Sequence, residues 1–384
     1  MPDAPGQRTV AVGMSGGVDS SVAAWLLLRR GYAVTGVTMA IWDGSLPLPD
    51  TGRSGCYGPG EARDLESART VAARLGIPHR VIRLAEDYRR CVLDPFRASY
   101  RSGRTPNPCV LCNQRLKFGL LLERARAAGL AFDAFATGHY ARVAFDPARA
   151  LFTLRRGADA AKDQSYFLAR LTQEQLRQTL FPLAELTKAD VVRLAREAGL
   201  EEAAARPESQ DFIESESYAP LFDPCDDRPG PFVDAAGRVL GRHRGLVHYT
   251  VGQRQGLGIA AGERLYVKEL RAASNTVVLG RRDEVFSDGC RVEDATWIAG
   301  SAPPDGTLCR AHLRYRHAGV PARLTRLPDG AWRASFAEPQ FAVAPGQAAV
   351  FYDGDEVLGG GWIAPESGEP LELPAPAVPA HTRP

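Results

Sequence analysis

Long apolar runs are missing from this sequence, and none reaches the roughly 20 residues that a helix needs to cross a bilayer. The first ten residues, Met1 to Val10, are mixed and hold no signal-peptide core, so the chain is expected in the cytoplasm, away from membranes. Lysine is scarce: of 47 basic residues only those at 117, 162, 188 and 268 are lysine. That bias accords with a GC-rich coding sequence and is given no functional weight. No Gly-Lys dipeptide exists, which excludes a Walker A loop. Formal net charge is only +2, so any nucleic-acid surface has to come from local clustering. Seven cysteines, an odd number in a large chain, argue against a disulfide framework. In a reducing compartment the pair Cys109-Val-Leu-Cys112 points instead to metal binding or reactivity. A second C-x-x-C is lacking, which counts against a four-cysteine zinc site.

What is present suits a globular protein of two or three domains: 384 residues, 45% hydrophobic and 24% charged. An apolar run at 9–14 leads through a Gly/Ser turn into an amphipathic stretch from Ser20 to about Arg30. Residues 32–42, 79–84 and 131–137 read as strands; 61–75 and 118–128 read as helices. Strands alternating with helices predict a parallel α/β sheet, whose ligands sit beyond the carboxyl ends of the strands. Residues 13–20, 39 and 138–139 fall at such ends. After about residue 206 glycine and proline become frequent, and from Gly289 to Ile363 short alternating strands with Asp329-Gly330 and Asp353-Gly354 turns predict a small β-barrel. Cys309–Arg316 is expected to be one of those strands. The domains are therefore expected at 1–205, 206–284 and 285–364, with a Pro/Ala-rich, disordered tail at 365–384.

Ser15-Gly16-Gly17-Val18-Asp19-Ser20 lies between the first strand and helix. Paired glycines let the backbone turn tightly and aim N–H groups at an anion, and the helix adds its positive end. A plainer reading makes Ser20 a helix N-cap and Asp19 a capping carboxylate. The full string resembles the pyrophosphate loop of the PP-loop ATP-pyrophosphatases, which cleave ATP to AMP and pyrophosphate. That resemblance implies ATP contacts at Gly13, Met14, Ser15, Gly16, Gly17, Val18, Asp19, Ser20, Met39 and Gly138, with Asp19 placing Mg²⁺ or ordering the loop.

Gly103-Arg-Thr-Pro-Asn-Pro-Cys-Val-Leu-Cys-Asn-Gln-Arg-Leu-Lys-Phe118 is similar to a segment of the tRNA-specific 2-thiouridylases. So are Ala136–Tyr140, Lys162–Phe167, Val251–Gly258 and Pro345–Tyr352, in register along nearly the whole chain. The resemblance implies a PP-loop domain, a small middle domain and a barrel. It also implies ATP-dependent 2-thiolation of the wobble uridine, through an adenylated uridine and sulfur carried on Cys112. A cysteine desulfurase or sulfur-relay protein would supply the sulfur, and the anticodon stem-loop of tRNA would be the partner. Basic neighbours such as Arg115 and Lys117 are expected to lower the thiol pKa.

One departure matters. Relatives carry a second catalytic cysteine in a downstream loop, but Pro207–Ser215 here has none. Cys109 is therefore expected to act with Cys112, either as a dithiol or, with Cys56, as ligands of a [4Fe-4S] cluster. Arg97, Arg101, Arg104, Arg115 and Lys117 cluster near this segment, and Arg310, Arg314, Arg316, Arg323 and Arg326 fall on expected barrel strands. The resemblance raises Asn107, Pro108, Cys109, His139, Lys162, Asp163, Gln164, Arg314, Tyr315 and Gln347 as tRNA contacts. Two rivals remain: an amide-forming PP-loop ligase, which leaves the C-x-x-C unexplained, and a non-catalytic RNA-binding protein, which the intact loop disfavours.

Overall fold

The computed structural model describes residues 8–50, 52, 55–206, 211–260 and 262–365. The first nine strands are β1 (Thr9–Gly13), β2 (Ala33–Ala40), β3 (Gly55–Tyr57), β4 (His79–Arg83), β5 (Ala134–Ala136), β6 (Ala141–Asp146), β7 (Leu151–Arg156), β8 (Thr179–Leu180) and β9 (Asp211–Ile213). A five-stranded sheet runs β4-β2-β1-β5-β8, and all its pairings are parallel. Alternation along β1 feeds two cores. Val10 and Val12 pack with Val22, Ala23 and Leu27 of α1 (Val18–Arg29) and with Ala68, Val71 and Ala72 of α2 (Glu61–Leu75). Ala11 faces the other way, toward Leu116, Phe118 and Phe135. Helices therefore cover both faces, as the alternating pattern predicted.

The strand expected at 131–137 is confined to Ala134–Ala136, and two further boundaries moved for local reasons. β2 stops at Ala40 because the next amides, of Ile41 and Trp42, donate to one carboxylate oxygen of Glu61 at 2.6 and 2.8 Å. The helix expected from Phe118 begins at Pro108, capped by the Asn107 side chain, and is wound as a π-helix over Cys112–Leu120 before continuing to Ala127. Its polar string hid a buried face of Val110, Leu111, Leu116 and Phe118.

A four-stranded sheet, β11 (Val239–His243), β10 (Gly230–Val233), β13 (Thr276–Gly280) and β12 (Tyr266–Arg271), forms the middle unit. The last unit holds β14 (Phe286–Trp297), β15 (Leu308–His312), β16 (Val320–Arg326), β17 (Trp332–Phe341), β18 (Ala348–Asp353) and β19 (Glu356–Ile363), and β14 pairs with β19 to close an antiparallel barrel. The hairpin β6–β7, assigned to no element by the sequence reading, joins this sheet where Arg155 pairs with Glu356. β15 ends at His312, so the strand expected through Arg316 is corrected: Leu313–Arg316 is a turn, with Arg316 at φ +64°. The expected disordered tail beyond Pro365 and Pro207–Gln210 lie outside the described residues.

The barrel docks on the cysteine segment. Thr105 donates its amide to the Pro345 carbonyl (2.7 Å), and the Gln347 amide donates to the carbonyls of Thr105 (2.9 Å) and Pro106 (3.3 Å). The Thr105 hydroxyl also bonds that of Thr250 in the middle unit.

Candidate functional site

At the carboxyl end of β1 the chain turns through Ser15–Gly17 into α1. Gly16 has φ +74°, and a Cβ there would lie 2.9 Å from the Asp64 carbonyl oxygen. Helix α1 starts at Val18 with Gly17 at the N-cap, so the reading of Ser20 as N-cap is corrected. Ser20 and Ser21 instead donate their hydroxyls back to the Gly17 carbonyl at 3.1 and 2.8 Å, while Ser20 Oγ accepts the Ser15 amide at 3.2 Å. Met14 is buried and gives its carbonyl to the Thr38 hydroxyl (2.8 Å), which also contacts the His79 ring.

Asp19 is no cap. Lys188 Nζ lies 2.7 and 2.9 Å from its two oxygens, and the Tyr140 hydroxyl donates to it at 2.8 Å. Lys188 stands at the first position of the helix Lys188–Glu197, which is fixed by a capping box of Thr187 and Asp190. Sequence reasoning missed both Lys188 and Tyr140. Gly138 follows β5 and packs directly on α1: a Cβ at Gly138 would sit 2.7 Å from Asp19 C and Ser20 N. Met39 of β2 borders the same apolar cluster as Cys109 and Cys112.

The sulfur side lies across that cluster. Cys109 and Cys112 are half-buried on the helix that starts at Pro108; Cys56 is exposed on β3. Each of the three thiols interacts electrostatically with the Lys117 ammonium, which they hold above its ordinary range against burial. The expected depression of the thiol pKa does not appear. Burial pushes Cys112 up to about 11 although Lys117 opposes it, and burial, reinforced by Cys56 and Cys112, pushes Cys109 well up. Arg115 faces Cys91 and Arg170 instead.

His139 links the two sides. Its ring lies between Phe118 and Phe181, each 6.0 Å away, with Nδ1 2.7 Å from the Thr137 hydroxyl. Burial, and then Lys117, hold it well below the ordinary imidazole range, so it is neutral. Of the remaining expected contacts, Lys162 lies in a turn, and Gln164 accepts the Tyr140 amide at 3.1 Å. Asp163 is buried and accepts from Gly157, Ser165 and Arg156. Tyr315, in the turn after β15, packs 4.4 Å from the Phe167 ring, and Arg314 beside it is exposed. Among the clustered arginines, Arg97 donates to the Leu221 carbonyl, Arg101 pairs with Asp223 and Asp226, and Arg104 is buried. Those three serve the chain's own packing.

Three family models match in order along the chain: a tRNA methyl transferase HUP domain over 8–214, a tRNA methyl transferase PRC-barrel domain over 221–281 and an aminomethyltransferase beta-barrel domain over 287–363. Among curated proteins, the chain is similar to the tRNA-specific 2-thiouridylase MnmA of Endomicrobium trichonymphae, 43% identical over 93% of this chain and 99% of that protein. It is also similar to the proteins of that name from Carboxydothermus hydrogenoformans (44%, covering 94% and 99%) and Geotalea uraniireducens (46%, covering 93% and 95%).

Proposed function

The chain belongs to the tRNA-specific 2-thiouridylase family, and from that premise we infer that it uses ATP to replace an oxygen of a tRNA uridine with sulfur. The carrying observation is a line of contacts between thiols and glycine loop: Lys117 interacts with the three thiols and with His139, and Gly138 beside His139 packs on Asp19 and Ser20. The word methyl in the domain descriptions finds less support: a thiol cluster beside a phosphate loop is the equipment of sulfur transfer.

The C2 oxygen of uridine leaves poorly. The loop amides and the N-terminus of α1 hold the phosphates of ATP so that this oxygen attacks the α-phosphorus and pyrophosphate departs. Lys188 supplies positive charge beside the loop. Asp19 offers a partly exposed carboxylate next to where the phosphates lie, which fits a magnesium ion held mainly by phosphate oxygens; when bound, the ion neutralises phosphate charge. Cys112, carrying a persulfide from a sulfur-donor protein, then delivers sulfur to C2 and AMP leaves. The substrate is the wobble uridine of the anticodon stem-loop, flipped from its stack toward His139, and the enzyme works in the cytoplasm. Among the described residues no helix is long and apolar enough to cross a membrane.

We propose that Asn107, Pro108, Cys109, Lys162, Gln164, Arg314 and Tyr315 meet the tRNA. Asp163 and Gln347 are proposed to act through them, since their polar atoms already hold the chain together.

The convergence of Cys56, Cys109 and Cys112 favours a second reading of the sulfur step. Among the described residues only Asp223, Cys225 and Asp226 bring three donor atoms within 4.8 Å of one another, so the three site thiols are spread too widely for one tetrahedral zinc. A [4Fe-4S] cluster spaces its ligands further apart, and three thiolates fit its donor chemistry; when bound, its open iron would hold sulfide.

Labelled ATP incubated with unmodified tRNA and a persulfide donor should yield AMP, pyrophosphate and 2-thiouridine. Formation of ADP and phosphate would overturn the assignment, as would full thiolation by Cys112→Ser.

A further inference from the structure

A persulfide carrier needs a second thiol to let its sulfur go, and three cysteines, Cys56, Cys91 and Cys109, neighbour Cys112. We propose that Cys56, on the separate strand β3, and not Cys109 is the thiol that releases sulfur from Cys112, closing a Cys56–Cys112 disulfide. The proposal rests on the reading of Cys112 as the persulfide carrier.

The strand geometry sets up Cys56. Successive residues of a strand point to opposite faces. Gly55 and Tyr57 are buried while Cys56 between them is exposed. Tyr57 anchors the strand, with its ring centroid 5.2 Å from Tyr88 and 4.8 Å from Trp42, in the apolar cluster against which Cys109 and Cys112 pack. β3 is held from the other side by β9, with Gly55 opposite Asp211 and Tyr57 opposite Ile213. Glu214 then clamps the turn after β3: its amide donates to the Tyr57 carbonyl (3.1 Å) and its carboxylate accepts the Gly60 amide (2.7 Å). Cys56 interacts electrostatically with Cys109, Cys112 and Lys117, so the chain brings an exposed thiol to the cysteine helix from outside that helix. It does so on the strand paired with the cysteine-free stretch Asp211–Ser215.

Cys109 is the poorer candidate. Cys109, like Cys91, is half-buried, whereas Cys56 is exposed and open to exchange. The resulting disulfide must also be opened by a reductant arriving from solvent, which reaches Cys56 directly.

The steps balance. The terminal persulfide sulfur of Cys112 bonds to C2 as the C2–O bond to AMP breaks, leaving Cys112 linked through two sulfurs to the base. The Cys56 thiolate attacks Cys112 Sγ, and the bond between Cys112 and the transferred sulfur breaks. Its electron pair stays with that sulfur as 2-thiouridine. The two thiols lose two electrons and the transferred sulfur gains them. A dithiol reductant of the thioredoxin class then reopens the disulfide, and the persulfide donor reloads Cys112.

The test uses the full chain, loaded with inorganic polysulfide and given ATP and unmodified tRNA for one turnover without reductant. The products are quenched with an alkylating agent and mapped by peptide mass spectrometry. A Cys56–Cys112 disulfide should form in step with 2-thiouridine. In Cys56→Ser a Cys112–tRNA adduct should accumulate and multiple turnover should fall by about 100-fold or more, with dithiothreitol restoring it. A Cys109–Cys112 disulfide overturns the proposal, as does undiminished turnover of Cys56→Ser without added thiol. Stoichiometric iron whose chelation abolishes activity overturns it too. Thiolation by Cys112→Ser would instead overturn the underlying reading.

Discussion

The two ends of the site are built on opposite plans. At the nucleotide end, one run from Gly13 to Ser21 makes the loop, its internal hydrogen bonds and the start of α1. Gly138, Tyr140 and Lys188 come from elsewhere to brace Asp19 and the first turn of α1, and Thr38 and Ser67 donate hydroxyls to the carbonyls of Met14 and Gly16. At the sulfur end, Cys56 comes from β3 and Cys109 and Cys112 from the helix that starts at Pro108. β9, the middle unit and the barrel hold those pieces in place. A local loop depends on backbone conformation, whereas an assembled site depends on joints between distant segments. The first should therefore break only by changes within or against the loop, and the second by changes many residues away.

The largest effect tests the local plan. Asp19→Ala removes the carboxylate that pairs with Lys188 and Tyr140. Turnover should fall by about 100-fold or more, the scale of losing one preorganised electrostatic group. Melting temperature should change little, because a partly exposed ion pair contributes at most about 1 kcal/mol. An active Asp19→Ala enzyme would show that the loop's backbone suffices without its acid.

A smaller effect tests a joint of the assembled plan. His312, at the end of β15, lies 2.7 Å from Arg156, which also pairs with Asp163 and stacks on Tyr352. Burial, followed by the charges of Arg156 and His317, lowers His312 to about 4. The unfolded chain, with ordinary imidazoles, then binds the proton first. Stability from this group is complete above about 6.5 and is lost as pH falls toward 4, by up to about 3 kcal/mol. Melting curves from pH 7.5 to 4.5 should show that decline, and His312→Asn should flatten it. An unchanged slope would show that the barrel joint does not carry the acid sensitivity.

These plans also explain what the sequence made legible. The loop, the parallel sheet and the closed barrel could be read because periodicity and glycine placement are local signals. The partner of Asp19 could not, because Lys188 lies 169 residues away. A signal did exist. Of only four lysines, Lys117 faces the thiols, Lys188 pairs with Asp19 and Lys162 lies in the segment that begins Lys162-Asp-Gln. Where arginine fills nearly every ordinary cationic position, exposed Lys268 being the exception, a retained lysine is a signal for a site that wants a compact ammonium and not a planar fork. Thr187–Asp190 had further marked Lys188 as a helix start. The net pKa of Cys112 was misjudged because sequence spacing shows which charges are near and hides how dry the surroundings are. Arg314 was misplaced onto a strand because Cys309–His312 alternates well and the turn that follows carries no glycine or proline until Gly319.

The smallest effect concerns that same arginine. Arg314 is exposed in the turn after β15, and its neighbour Tyr315 packs on Phe167, whose carbonyl accepts the Asn113 amide at 3.3 Å. The turn is thereby tied to the cysteine helix, and the exposed guanidinium of Arg314 is proposed to meet an RNA phosphate. One such contact carries no sequence information. Its loss should weaken tRNA binding by roughly 3- to 10-fold at moderate salt and make the log–log salt slope shallower by about one. ATP affinity should not change in Arg314→Ala, since the nucleotide loop shares no joint with this turn. Filter binding across a salt series, with ATP titrated in parallel, checks both halves. An unchanged slope would take this turn out of the RNA surface. A change in ATP affinity would show that the two ends are coupled through Phe167 and Asn113, and the division into a local and an assembled plan would fail there.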